Sequence, residues 1–150
     1  MSYDARLIAD WFLLRADRDG KQLTQMKLQK LVYIAHGWYL GLTGRPLISD
    51  PVEAWKFGPV IRSLYRYFAD YGANPIPTPG GTIAQIDQET ERFLEAIWDR
   101  YKDYDAIDLS AMTHAPNTPW SQSYVSSGQP AVIPSNRIAD HYRHLAATRK

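Results

Sequence analysis

The sequence contains no cysteine and almost no excess of charge, and both absences narrow the possible functions. Without cysteine there can be no disulfide and no thiolate zinc site, which fits a reducing compartment. Seventeen Lys and Arg stand against sixteen Asp and Glu, a net charge of only +1. A domain that holds nucleic acid by neutralising phosphates carries a strong positive balance. The charge therefore argues against nucleic acid as a partner.

Long hydrophobic runs and phosphate-binding loops are missing as well. The longest near-apolar run, residues 31–42, is interrupted by His36 and is too short to cross a bilayer. No apolar segment with a small-residue cleavage site opens the chain, so no signal peptide is predicted. Gly80-Gly81 has neither the lysine of a P-loop nor the spacing of a dinucleotide site. We expect a cytoplasmic protein without a cofactor and without a membrane partner.

Length and composition predict one folded domain over residues 1–150. Hydrophobic residues make up 45% and charged residues 22%, values typical of globular chains rather than disordered ones. A chain of 150 residues is long enough to bury one core. Aromatic residues reach 13%, and Tyr and Trp are enriched at protein interfaces because each has an apolar body and a polar tip. The composition therefore leans towards a binding function.

Apolar residues at helical spacing, with capping and stop residues at the ends, predict a mainly helical fold. The predicted helices are Tyr3–Ala16, Gln25–Thr43, Pro59 to the residue before Gly72, Asp87 to Tyr101, and a last helix from Ser135. Proline suits the first position of a helix, which is why Pro59 is taken as a start. Short extended segments lie between the second and third helices. We predict a compact single-domain helical bundle with a short β-hairpin around residues 47–57.

Histidines offer the only conventional starting point for catalysis or metal binding. His141 and His144 lie three residues apart on the last predicted helix, but no carboxylate stands at the spacing of a zinc protease, so no metal site is predicted. His114 lies in a region rich in hydroxyl groups, yet no Gly-x-Ser-x-Gly elbow accompanies it. We therefore predict no enzyme. A small hydrolase using His114 and a nucleic-acid-binding regulator stay open as alternatives.

Three sequence blocks, in this order, resemble a known family. They are KLQKLVYIAHGW (Lys27–Trp38), AWKFGPV (Ala54–Val60), and LSAMTH (Leu109–His114) leading to Pro119-Trp120. Together they resemble the hallmark segments of the SocA-like, Panacea-domain antitoxins, which are often described as phage-associated proteins. The resemblance spans roughly residues 5–125. The acid that relatives often carry just before Pro-Trp is replaced here by Asn117-Thr118.

The resemblance implies a compact helical domain that neutralises a cognate toxin by direct protein–protein contact. In one branch of the family the antitoxin is also an adaptor that delivers its toxin to the ClpXP protease, so ClpX is a second implied partner. The toxins of the family are diverse, so the resemblance does not identify this one. We expect Lys56, Phe57, His114 and Trp120 to contact the toxin, because the last two blocks read as exposed loops around an aromatic groove.

Overall fold

The computed structural model of the chain describes residues 2–81, 85–125 and 129–148. Within these ranges it contains seven α-helices and one small antiparallel sheet, which confirms the predicted mainly α fold. The helices are α1 (Ala5–Arg18), α2 (Gln25–Thr43), α3 (Arg62–Phe68), α4 (Gln88–Tyr101), α5 (Ala106–His114), α6 (Pro119–Ser123) and α7 (Ser135–Thr148). The strands are β1 (Glu53–Trp55), β2 (Gly58–Val60) and β3 (Ala131–Val132), in the order β2-β1-β3.

Helix α2 forms the centre of the molecule. Its bounds agree with the prediction: the Thr24 side chain caps the first turn, and Gly44 ends the helix in a left-handed conformation with φ of 75°. Every residue from Leu28 to Trp38 is buried, as expected of a helix surrounded by other elements. Helices α1, α4, α5 and α7 and the hairpin pack around it.

The contact between α2 and α7 depends on two glycines spaced one turn apart. A Cβ atom at Gly37 would lie 2.2 Å from Cε2 of Tyr142, and one at Gly41 would lie 2.8 Å from Cβ of Tyr142. Tyr142 is buried and stands 5.1 Å, centroid to centroid, from the ring of Trp38. The glycines therefore allow an aromatic ring to lie directly on the backbone of α2.

The β-hairpin lies further along the chain than predicted. Its strands pair Glu53 with Val60 and Trp55 with Gly58, so it covers residues 53–60 rather than 47–57. The prediction that Pro59 opens a helix is wrong, because Pro59 belongs to β2 and α3 begins at Arg62. Side chains of α2 supply hydrogen bonds to the backbone here, as described below. A local preference of proline for helix starts was outweighed by these contacts.

The chain between the predicted helices that end at Tyr101 and begin at Ser135 is in part helical. Residues 109–113 belong to α5, and Pro119 begins the short helix α6. Residues 82–84 and 126–128 lie outside the described residues. Within the described ranges, no helix combines the length and the apolar character that a membrane crossing requires.

Candidate partner-binding groove

The tip of the hairpin exposes two of the residues predicted to bind a partner. Lys56 and Phe57 form the two-residue turn between Trp55 and Gly58. Phe57 is 68% exposed, and the ammonium of Lys56 lies 5.4 Å from the centre of its ring. Gly58 has φ of 126°, a conformation that side chains other than glycine rarely adopt. The glycine therefore permits the turn, and the turn presents an aromatic ring to solvent.

An apolar groove of about 600 Å³ lies beside this turn. One wall is the hairpin with Phe57, and the others come from the first turns of α2, from Tyr65 of α3 and from Ala106 of α5. Met26 and Tyr65 are 48% and 43% exposed, which is unusual for large apolar side chains gathered around one depression. We call this depression the hairpin groove. Contiguous exposed apolar surface of this kind marks ligand or protein interaction sites.

Two polar side chains of α2 hold the base of the hairpin. The Gln29 side chain donates to the carbonyl of Ile61 at 3.0 Å and accepts from the Ile61 N–H at 2.9 Å. The Lys30 ammonium donates to the carbonyl of Pro59 at 2.8 Å. Both side chains are 4% exposed. They satisfy backbone groups that would otherwise be buried without partners, and so they fix the end of β2 against the central helix.

Lys30 also forms part of the floor of the hairpin groove, and its charge is poorly solvated there. Burial lowers the pKa of this lysine from 10.5 to about 8. Among the described residues, no carboxylate lies within 4.0 Å of its nitrogen. A Cβ atom at position 58 would stand 3.1 Å from that nitrogen, so Gly58 also leaves room for the ammonium. The groove thus combines apolar walls with one buried cation.

The other two predicted contact residues, His114 and Trp120, do not line the groove. Trp120 donates its indole N–H to the carbonyl of Trp55 at 2.5 Å, and its ring stands edge-on to His114 with centroids 5.4 Å apart. Ser110 donates its hydroxyl to the carbonyl of Phe57 at 3.1 Å. The four predicted residues therefore fall into two groups: Lys56 and Phe57 line the groove, whereas His114 and Trp120 do not, and Trp120 holds the hairpin through its backbone.

Asn117 and Thr118 each have a local structural role at the start of α6. Thr118 caps α6: its hydroxyl accepts from the N–H of Ser121, and the Ser121 hydroxyl accepts from the Thr118 N–H at 2.9 Å. Asn117 takes the left-handed conformation, with φ of 65°, which asparagine tolerates better than most residues. This capping box fixes the direction of the helix that carries Trp120.

The hydrolase alternative finds little support in the geometry around His114. The Ser110 hydroxyl lies 3.3 Å from Nδ1 of His114, a separation that a nucleophile and its base could share. That hydroxyl, however, donates to the Phe57 carbonyl, and His114 Nδ1 also contacts the Ser110 carbonyl. Within residues 2–81, 85–125 and 129–148, no carboxylate hydrogen-bonds to His114 to orient it. The same ranges hold no cluster of three potential metal ligands.

Sequence reasoning missed the polar floor of the groove. Lys30 lies about 200° around α2 from Leu28, on the side opposite the apolar stripe, and Gln25 lies about 60° from Leu28, at the edge of that stripe. Helical spacing therefore assigns Lys30 to the solvent side, although both side chains are buried. The available signal was the breadth of the stripe, since a helix that is apolar on nearly every side has little solvent-facing surface for such residues. Their burial follows from the elements packed around α2, which spacing alone does not reveal.

Comparison with known proteins assigns the chain to a family. Residues 28–121 match the family model described as antitoxin SocA-like, Panacea domain. The chain is also 34% identical, over 130 residues, to Antitoxin SocA of Caulobacter vibrioides (strain NA1000 / CB15N), an alignment covering 79% of this chain and 69% of that protein. No solved structure gives a significant match. The chain belongs to the SocA-like, Panacea-domain antitoxin family, as its three sequence blocks predicted.

Proposed function

We propose that this chain is an antitoxin that neutralises a cognate toxin protein by binding it directly, with the hairpin groove as the contact surface. The family assignment supports the antitoxin role. The observation that carries the proposed location is the groove itself, about 600 Å³ of largely apolar space beside the exposed ring of Phe57. The proposal places the chain in the cytoplasm with its toxin and treats residues 1–150 as one domain.

The proposed interface combines two features of protein-binding surfaces, exposed apolar side chains and a backbone that is already ordered. Large, exposed aromatic and sulfur-containing side chains supply apolar contact area, and Phe57, Tyr65 and Met26 provide them. The hairpin that carries Phe57 is held by a hydrogen bond from Lys30 to the carbonyl of Pro59 and by one from Trp120 to the carbonyl of Trp55. A preorganised surface loses little conformational entropy on binding, so its contacts translate more fully into affinity.

The first experiment is a growth and co-purification assay with the protein encoded by the neighbouring gene. Expressed alone, that protein should arrest its host, and co-expression of this chain should restore growth and yield a complex of the two. A neighbouring protein that is harmless alone, or that is rescued without forming a complex, contradicts direct neutralisation. Repeating the rescue in a host without ClpXP separates simple binding from delivery to the protease, which is the second mode implied by the family.

A substitution at the turn then tests the proposed location. Phe57→Ala removes an exposed ring, so the fold should remain intact while toxin affinity falls by roughly tenfold or more, the size of effect expected at a hot spot. Leu42→Ala is the matched control, because Leu42 is 61% exposed but lies about 18 Å along α2 from Lys30. Equal affinities of the two variants for the toxin would place the interface elsewhere.

A further inference from the structure

The floor of the hairpin groove contains a cation with unused bonding capacity. An ammonium group has three N–H donors, and Lys30 directs one of them to the Pro59 carbonyl. No other hydrogen bond to its nitrogen is found among the described residues, and no carboxylate stands within 4.0 Å of it there. Burying a charge without a counter-ion is unfavourable for folding. A positive group kept at such a position is better explained by a ligand than by stability.

A second group in the floor of the groove has one polar atom without a hydrogen-bond partner among the described residues. Gln25 lies one helical turn before Gln29 and lines the same groove. Its amide nitrogen donates to the Phe68 carbonyl at 3.5 Å, whereas its buried oxygen finds no donor within the described ranges. Buried acceptors are rarely left unpaired in folded proteins. The groove therefore offers one acceptor as well as one cation to whatever enters it.

The charge of the lining indicates the chemistry of the occupant. Among the residues that the structure describes, no aspartate or glutamate lines the groove, and Lys56 adds a second positive charge at its rim. The remaining walls, with Trp55, Phe57 and Val60, are apolar. This arrangement is complementary to a negative group attached to an apolar one. Gln25 adds a place for an N–H donor, such as the backbone amide of a bound chain.

From these features we infer that the hairpin groove receives a segment of the toxin in which an acidic side chain stands beside a large apolar side chain. The carboxylate pairs with Lys30 on the floor, and the apolar side chain packs against Phe57 and Trp55 on the wall. Lys30 is then the residue that selects this segment over a neutral one. The inference rests on the proposed antitoxin function and adds to it the chemistry of the recognised segment.

The test replaces each of two lysines of α2 by methionine, which keeps the length of the side chain and removes its charge. Lys30→Met removes the proposed counter-ion of the toxin. Lys27→Met is the control, because Lys27 also donates to one backbone carbonyl, that of Lys102 at 2.6 Å, but does not line the groove. We expect the toxin dissociation constant to rise roughly 30-fold or more in Lys30→Met and to stay unchanged in Lys27→Met.

A small probe tests the inference without the toxin. Phenylacetate joins a carboxylate to an apolar ring, and phenylacetamide is its neutral counterpart. At about 10 mM, the range in which such small ligands bind, phenylacetate should shift the amide resonances of residues 55–60 in the labelled protein. Phenylacetamide should not, and Lys30→Met should respond to neither. Equal shifts with both probes, or an unaltered phenylacetate response in Lys30→Met, would overturn the inference.

The two arms separate failure of the inference from failure of the proposed function. If wild type and Lys30→Met bind the toxin equally well, direct neutralisation stands and the acidic segment is wrong. If the wild-type chain does not bind the toxin but responds to phenylacetate and not to phenylacetamide, and Lys30→Met loses this response, the groove is an acid-selective site and the proposed antitoxin function is wrong. Groove resonances that shift with protein concentration alone would assign the groove to a second copy of the chain and contradict the inference.

Discussion

The buried ammonium of Lys30 makes the stability of the free protein depend on pH in a direction that can be measured. Because burial lowers its pKa from 10.5 to about 8, the folded chain binds fewer protons here than the unfolded chain between these values. The free energy of unfolding must therefore rise as pH increases from 8 to 10.5. At roughly 1.4 kcal/mol for each pH unit between the two pKa values, the gain is about 3 kcal/mol.

Lys30→Met should remove this gain and change the order of stability with pH. At pH 7 the substitution eliminates a desolvated charge but leaves the Pro59 carbonyl without its donor, a loss of about 1–3 kcal/mol. The variant should thus be as stable as the wild type, or more stable by up to about 2 kcal/mol, at pH 7. At pH 10, where the wild-type lysine is neutral in the folded state, the variant should be the less stable of the two.

Urea unfolding at pH 7, 8, 9 and 10 measures this difference for the two proteins. Burial also raises the pKa of Tyr33 and Tyr142 and lowers that of Lys27, so the wild-type curve alone is not diagnostic. These groups are present in both proteins and cancel in the comparison. Parallel pH dependence of wild type and Lys30→Met would refute the reasoning, because it would mean that Lys30 is solvated in the folded chain.

Three further predictions concern the supports of the core and the hairpin. Burial lowers the pKa of His36 from 6.5 to about 4, so between these pH values the unfolded state gains a proton while the folded state stays neutral. About 3 kcal/mol of stability should therefore be lost between pH 6.5 and 4, and in His36→Gln the free energy of unfolding, measured in urea, should fall less steeply over this range. Gly37→Ala places a Cβ 2.2 Å from the Tyr142 ring and should cost about 1–3 kcal/mol, seen as a lower Tm despite the better helix propensity. Trp120→Phe leaves the Trp55 carbonyl without its donor and should speed amide exchange in the hairpin and weaken toxin binding, whereas unchanged exchange would show that this bond does not hold the strand.

The elements that the sequence predicted well are those determined by nearby residues. Helix α2 begins after the Thr24 cap and ends at Gly44 as predicted, because capping and left-handed glycine act within a turn of the residues concerned. The helix begun by Asp87 is α4, which starts one residue later, at Gln88, with the Asp87 side chain accepting from the N–H of Thr90. Between their ends, the helices were predicted from the spacing of apolar residues, because that spacing indicates which face of a helix is buried.

The stretch at Gly58-Pro59 could not be predicted in the same way. Proline fits the first turn of a helix and fits a strand position where no N–H is required, and the local sequence does not choose between them. The choice is made by Gln29 and Lys30, about thirty positions earlier, whose side chains bind the backbone of residues 59 and 61. A long-range contact of this kind leaves no periodic trace in the sequence.

The candidate site was predicted in part for a related reason. The second and third sequence blocks lie at the hairpin and at the helices packed against it, but they did not show which of their residues would line the groove. Phe57 is at the tip and open to solvent, whereas the indole of Trp120 must find a hydrogen-bond acceptor on burial and finds it in the Trp55 carbonyl. Lys30 was overlooked because burial of a lysine is rare and is decided by the surrounding elements rather than by spacing.

The hydrogen bonds behind the turn explain how residues that do not line the groove can still control binding in it. Ser110 binds the carbonyl of Phe57 and Trp120 binds that of Trp55, so helices α5 and α6 restrain a turn of two residues. Restraint before binding reduces the entropy lost on binding. Loss of the Ser110 or Trp120 hydrogen bond should therefore weaken the complex and loosen the free hairpin together, whereas loss of Phe57 should weaken the complex alone. Amide exchange of the hairpin, measured together with toxin affinity, distinguishes residues that hold the hairpin from residues that contact the toxin. An alanine scan that measures affinity alone would not separate them.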